Sequence, residues 1–121
     1  MDRECICKLR EIHRAIARMD EEFVRVFGIG LNEAMLLCTL GERGSASAGE
    51  LSGELRLTRS NTSKVLSAVE GAGYVERKIG ESDKRTMLFS LTPAGKECLR
   101  RIDCGCPSIP RSLPSLLGQM F

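Results

Sequence analysis

Apolar residues recur near the start of the chain as Leu9, Ile12, Ile16, Met19, Phe23 and Val26. The gaps alternate between three and four, which predicts a helix over about residues 4–27 with a heptad-like stripe. Its other face carries Arg10, Glu11, Arg14, Arg18, Glu21 and Glu22, and Gly28 and Gly30 stop it. The stripe can pack on its own domain or on a second subunit. The length of the helix against so small a core favours the subunit interface. A strongly apolar helix follows at about 32–41, with Ala34, Leu36, Leu37 and Leu40, and the glycines Gly41 and Gly44 end it. Ser47 and Glu50 then form a capping box: the Ser47 hydroxyl accepts from the Glu50 amide and the Glu50 carboxylate accepts from the Ser47 amide. A short helix at about 48–54 starts there, with Leu51 and Leu55 inward.

Residues 57–59 turn the chain into a further helix, about 59–72, whose apolar residues Val65, Leu66, Ala68 and Val69 lie in its second half. Its first half, Arg59 to Lys64, is wholly polar and holds no acid. Gly71 and Gly73 end it. Residues 74–79 read as a strand, 80–85 as a hairpin tip and 86–91 as the returning strand, with Thr86, Leu88 and Ser90 on one face and Met87, Phe89 and Leu91 on the other. Thr92 as N-cap and Pro93 at the first helical position open a last helix that runs to about Asp103 with Cys98, Leu99 and Ile102 on its apolar side. Pro107, Pro110 and Pro114 make the tail mostly extended, with one helical turn after Pro114. Leu113, Leu116, Leu117, Met120 and Phe121 are too apolar for a free tail and are expected to dock.

Composition narrows the class. A chain of 121 residues, 42% hydrophobic and 28% charged, is a single folded domain and not a disordered segment. Its longest apolar run, Ala34 to Cys38, is too short to span a membrane, and no signal-peptide core follows the N-terminus, so a cytoplasmic protein without membrane partners is expected. The single histidine, His13, argues against a Ser-His-Asp hydrolase and against a histidine-rich metal site. One Tyr and no Trp argue against stacking on single-stranded bases. The net charge of +2 hides an asymmetry: residues 56–101 carry ten basic and five acidic side chains. A positive middle in a near-neutral chain suggests a polyanion met by one face, although a charged stretch is also simply a solvated one.

A short helix, a tight turn, and a second helix with a polar, basic first half make the pattern of a helix-turn-helix. Helix N-termini favour phosphate, short polar side chains reach phosphates and base edges, and Asn61 can pair with adenine. An ordinary amphipathic surface helix has the same composition. The long basic hairpin tip fits a wing beside such a unit. Lys84 and Arg85 can enter a minor groove, and Asp83 can hold Arg85 in a fixed geometry.

Residues 31 to about 97 resemble the winged-helix core of the multiple-antibiotic-resistance regulator (MarR) family. The resemblance rests on Asp83, Arg85, Leu91 and Thr92 in the family's wing spacing, on Thr92-Pro93 with Gly95 and Lys96 after it, and on the run from Ser60 through Lys64, Val69, Gly73 and Val75 to Arg77. It implies a mainly α fold with a small β-hairpin wing, in a homodimer that binds a palindromic site in double-stranded DNA as a transcriptional regulator, usually a repressor. It places Ser60, Asn61, Thr62 and Lys64 on the DNA-facing start of the recognition helix, Arg85 on the wing and Asp83 as its orienting partner. Charge and position add Arg59 and Lys84. Residues 1–30 would then be a dimerisation helix, 31–97 the winged-helix core, and 98–121 the end of the last helix and an apolar tail. Family members often release DNA on meeting a small molecule, a metal or an oxidant. The family's long C-terminal helix has no counterpart here, so a shortened dimerisation region is expected, resting on the first helix and the tail.

Six cysteines are many for a cytoplasmic chain of this size. Cys5 and Cys7 lie in the first helix, Cys104 and Cys106 at the end of the last. In a fold of this kind the four thiols can converge, and they are read as inert, as a thiol switch for an oxidant, or as a zinc site, although Cys-x-Cys is not the usual zinc spacing. Arg3, Lys8, Arg100 and Arg101 would lower nearby thiol pKa values. Cys38 and Cys98 are expected in the core. No catalytic group and no cofactor is expected. The competing readings are a winged helix used as a protein-interaction module without specific DNA binding, and a small thiol-redox enzyme, which the absence of Cys-x-x-Cys disfavours.

Overall fold

The computed structural model describes residues 2–80 and 85–104, without the side chain of Cys104. Two compact units emerge, one holding residues up to Leu31 and the other residues 32–105.

The first unit is built on α1, Arg3–Phe27. Asp2 caps it by accepting from the Cys5 amide at 2.9 Å. Gly28 ends it at φ 75, a left-handed conformation that glycine adopts without penalty, and its amide donates to the Val24 carbonyl. Asp20 accepts from the Leu31 amide at 2.7 Å, which ties the following turn back onto the helix. Ile12, Ala15, Phe23 and Phe27 are buried, with the Phe23 and Phe27 rings 5.3 Å apart between centroids. Leu9, Ile16 and Val26, members of the same apolar stripe, stay exposed at 39–43%. Ile6 and Val24 are exposed beside them.

The second unit comprises α2 (Leu31–Arg43), β1 (Ala46–Ser47), α3 (Ala48–Leu55), α4 (Arg59–Gly71), β2 (Val75–Ile79), β3 (Met87–Leu91) and α5 (Pro93–Cys104). The strands form an antiparallel sheet in the order β1-β3-β2, with Ala46 opposite Phe89 and Val75 opposite Leu91. Helices α3, α4 and α5 contact it. Leu36, Leu37, Leu40, Leu51, Val69 and Cys98 are fully buried and make the centre of the core. This is the mainly α fold with a small β wing expected from the apolar spacing. The strand β1 was not expected. Two residues carry no periodicity, and β1 exists only because β3 pairs with it across more than forty positions of sequence. Cys98 is buried as expected, whereas Cys38 is exposed. Cys38 stands one residue beyond the buried pair Leu36 and Leu37, which turns it out of the core stripe, and its thiol lies 3.8 Å from Glu42.

The motif around Thr92 is a structural joint. Its amide donates to the Tyr74 carbonyl, its hydroxyl donates to the Gly73 carbonyl at 2.6 Å, and that hydroxyl accepts from the Gly95 amide at 3.0 Å. A Cβ at Gly95 would lie 2.0 Å from the Tyr74 carbonyl oxygen, so only glycine lets α5 cross there. The end of β3 and the start of β2 are thereby fastened to α5. Among the described residues no single helix is long and apolar enough to cross a membrane.

Candidate nucleic-acid interface

The site is assembled from α3, α4 and the wing. Ser47 and Glu50 make both bonds of the capping box, at 3.2 and 3.0 Å, and hold the start of α3. These bonds from Ser47, with Arg43 adding to them, keep the Glu50 carboxyl below the usual carboxylate range. Arg43, at the end of α2, pairs with Glu50 and also with Glu54 at 3.2 Å, so α3 is strapped to α2 along one side. The turn then passes through Arg56, a non-glycine residue at φ 55, and Thr58 caps α4 by accepting from the Asn61 amide at 3.1 Å.

Arg59, Ser60, Asn61, Ser63 and Lys64 are exposed on the first turns of α4, and no acid lies in its first turn. Two exposed cations thus stand in the first two turns of a helix, near its positive dipole end, which favours an anion. A hollow of about 320 Å³ lies between α3 and α4, lined by Ala48, Gly49, Ser52, Arg59 and Ser63.

Thr62 departs from the expected set. It is only 1% exposed, its hydroxyl donates to the Thr58 carbonyl at 2.8 Å, and it accepts from Ser52 at 2.8 Å. Thr62 therefore locks α4 to α3 and does not face outward. Its position was readable: residues 62, 65, 66 and 69 fall on one helical face, so Thr62 extends the core stripe of Val65, Leu66 and Val69.

On the wing, Arg85 is exposed just before β3, and the Gly80 amide donates to the Thr86 carbonyl at 2.7 Å, closing the hairpin below its tip. Asp83 and Lys84 lie outside the described residues. A second feature escaped the sequence reading: Arg77 on β2 makes an ion pair with Glu70 on α4. The hydrogen bond and charge of Glu70 push the Arg77 pKa up further, which keeps the guanidinium charged. On the sheet's other face, a cleft of about 730 Å³ has Leu40, Leu91 and Leu99 in its walls together with Lys78, Lys96 and Arg100.

The cysteine hypothesis fares less well. Cys5 and Cys7 are half-buried on α1. The expectation that nearby cations lower the thiol pKa is reversed at Cys5, where hydrogen bonding to Asp2 and its charge push the thiol up. The side chain of Cys104 and all of Cys106 lie outside the described residues, as does the apolar tail. Among the described residues no group of three or more His, Cys, Asp or Glu side chains is placed to hold a metal.

A sequence model of the MarR family matches residues 29–87. The HTH-type transcriptional regulator PapX of Escherichia coli is 31% identical over 75% of this chain and 57% of its own length. The transcriptional repressor MprA of Escherichia coli K12 is 35% identical over 60% of this chain and 44% of its own. The chain thus spans about half the length of these curated relatives. Sco3205, a MarR family transcriptional regulator from Streptomyces coelicolor solved in complex with DNA, superposes with a TM-score of 0.76 at 26% identity, over 98% of this chain and 72% of that one. Wild-type MarR from Escherichia coli, solved without ligand, shares the fold with a TM-score of 0.75 at 20% identity, over 88% of this chain and 79% of that one.

Proposed function

This chain belongs to the MarR family, and from that premise we propose that it is a sequence-specific, double-stranded DNA-binding regulator of transcription. It acts as a homodimeric repressor on a palindromic operator. The observation that carries this reading is the acid-free N-terminal half of α4, where Arg59, Ser60, Asn61 and Lys64 are exposed on the first two turns. The N-terminal half of α4 would enter the major groove, and Arg85 on the wing would enter the neighbouring minor groove. The DNA present in the Sco3205 structure and the repressor role carried in the name of MprA support the same assignment. The exposed apolar residues of α1, with Ile16 at 43%, support self-association. A small-molecule effector is proposed in the cleft beside Leu99 and Lys96, which is large enough for one. An oxidant effector finds less support, since the raised Cys5 pKa disfavours the reactive thiolate.

The test is selection of bound sequences from a pool of random duplex DNA, followed by affinity measured against salt. The expected result is an enriched palindrome and an affinity that falls steeply as salt rises, in proportion to the phosphates neutralised. No enrichment together with a flat salt response would replace this reading with that of a protein-interaction module.

A further inference from the structure

A wing and a recognition helix that grip one duplex must be held at a fixed angle to each other. In this chain α4 ends at Gly71 and β2 begins at Val75. Side chains alternate along β2, so Val75, Arg77 and Ile79 share a face. Val75 is buried and Ile79 is 62% exposed. The strand leaves the body between them, and Arg77 sits at the point of departure.

The Arg77 guanidinium makes a fork. Nε donates to one Glu70 carboxylate oxygen at 2.9 Å and Nη2 to the other at 2.6 Å. Its central carbon lies 5.6 Å from the centroid of the Phe89 ring. Phe89 is the residue opposite Arg77 on β3, and on its other side it is opposite Ala46 of β1. One side chain therefore joins the end of α4 to the ring at the middle of the sheet. A two-bond fork fixes direction as well as distance, which a lysine cannot do. Glu70 itself sits in the last turn of α4, where the helix dipole disfavours a negative charge. Exposed ion pairs add little to stability. The placement of both residues is explained by geometry better than by stability.

We propose that Arg77, held by Glu70 and Phe89, is a positioning residue that sets the direction of the wing relative to the recognition helix, so that the two grip DNA as one unit. Arg77 itself touches no DNA. The purpose of this clamp rests on the DNA-binding reading above, but its existence does not.

Two measurements on the full chain separate these. The first needs no DNA: residual dipolar couplings of backbone amides in α4 and in β2–β3. In the wild type one alignment tensor fits both elements. In Arg77→Met, which keeps the apolar stem, and in Arg77→Lys, which keeps the charge, the wing couplings shrink and no longer fit that tensor. Couplings in both variants that still fit a single tensor overturn the clamp. The second compares two duplexes that differ only in having A·T or G·C pairs where the wing lands. Arg77→Met loses at least fivefold of the wild-type preference between them and keeps the dependence on Asn61. An equal loss on both duplexes means a merely structural role and overturns the proposal. A wild-type protein that binds no duplex defeats the DNA reading and the purpose assigned to the clamp, while the couplings still decide whether the clamp exists.

Discussion

Helices α1 and α4 are both amphipathic, and what each leaves uncovered differs in kind. On α1 the exposed remainder of the apolar stripe is Leu9, Ile16 and Val26, and several of the charges between them are paired with each other, as Arg10 and Arg14 are with Glu11 and Arg25 is with Glu22. Such a surface projects little net field and offers oily area, which suits a protein partner. On α4 the large apolar residues Val65, Leu66 and Val69 are spent in the core, and the exposed remainder of its first half is Arg59, Ser60, Asn61, Ser63 and Lys64. No acid in the first turn offsets the two cations, so the surface projects a positive field with hydrogen-bonding groups inside it. Apolar periodicity alone would have called both helices core elements. The composition of the uncovered face distinguishes the partner each one meets.

The largest effect is expected from Ile16→Asp. The residue is 43% exposed, so the folded chain tolerates the change. In a dimer built on α1 the carboxylate would be desolvated, at a cost on the order of several kcal/mol per protomer. Sedimentation should then show monomer where the wild type is dimeric, with the helical content unchanged and a melting temperature that no longer rises with protein concentration. A variant that stays dimeric places the interface elsewhere. Next comes the double change Arg59→Ala with Lys64→Ala. If each side chain neutralises one phosphate, the slope of log affinity against log salt should fall by about 2 per half-site, and affinity at about 0.05 M salt by roughly two hundredfold for each half-site. An unchanged slope would mean that α4 presents these cations to something other than a polyanion. Within the same turn Thr62→Val sharpens the contrast between inward and outward. Its hydroxyl bonds are internal, so the loss should be about 1 kcal/mol of stability, read as a lower melting temperature. DNA affinity measured well below that temperature should not change. A fall in affinity without a fall in stability would return Thr62 to the outward set.

Element boundaries were legible because the chain punctuates them with Gly28, the Ser47–Glu50 box and Thr92-Pro93, whose capping bonds reach no further than four residues. The outward set on α4 was legible for the same reason, apart from Thr62, where polarity hid membership of the core stripe. What stayed hidden is long-range. Strand β1 depends on Phe89 and Leu88, the bond between Ser52 and Thr62 on how α3 meets α4, and the pair of Arg77 with Glu70 on a strand returning to a helix end. None of these has a local pattern, because each partner alone is an ordinary polar or β-forming residue. The stripe on α1 was legible, but which of its members stay exposed was not, since periodicity places a side chain on a face without saying what covers it.

The smallest effect expected separates the two roles of Glu50. Its carboxylate accepts from the Ser47 amide and pairs with Arg43, so it closes the cap of α3 and also ties α3 to α2. Both interactions favour the charged form and lower its pKa in the folded chain below the ordinary value for a glutamate. A depressed folded-state pKa means that the stabilisation is complete above the unfolded value. It is lost as pH falls through the lower folded value. Glu50→Gln keeps an acceptor for the Ser47 amide, as capping boxes allow, but removes the ionisation and the charge opposite Arg43. The stability difference between wild type and variant should therefore be constant above about pH 6, where the wild-type carboxylate has finished titrating in the unfolded chain as well. It should close progressively below pH 4.5, as the wild-type carboxylate takes up its proton. Asp2 and Glu97 titrate downward for similar reasons, through the Cys5 amide and Arg100. They do so equally in both proteins, so the difference isolates Glu50. A difference that stays constant from pH 7 to pH 3 would mean that the charge on Glu50 does nothing and that the cap alone holds α3 in place.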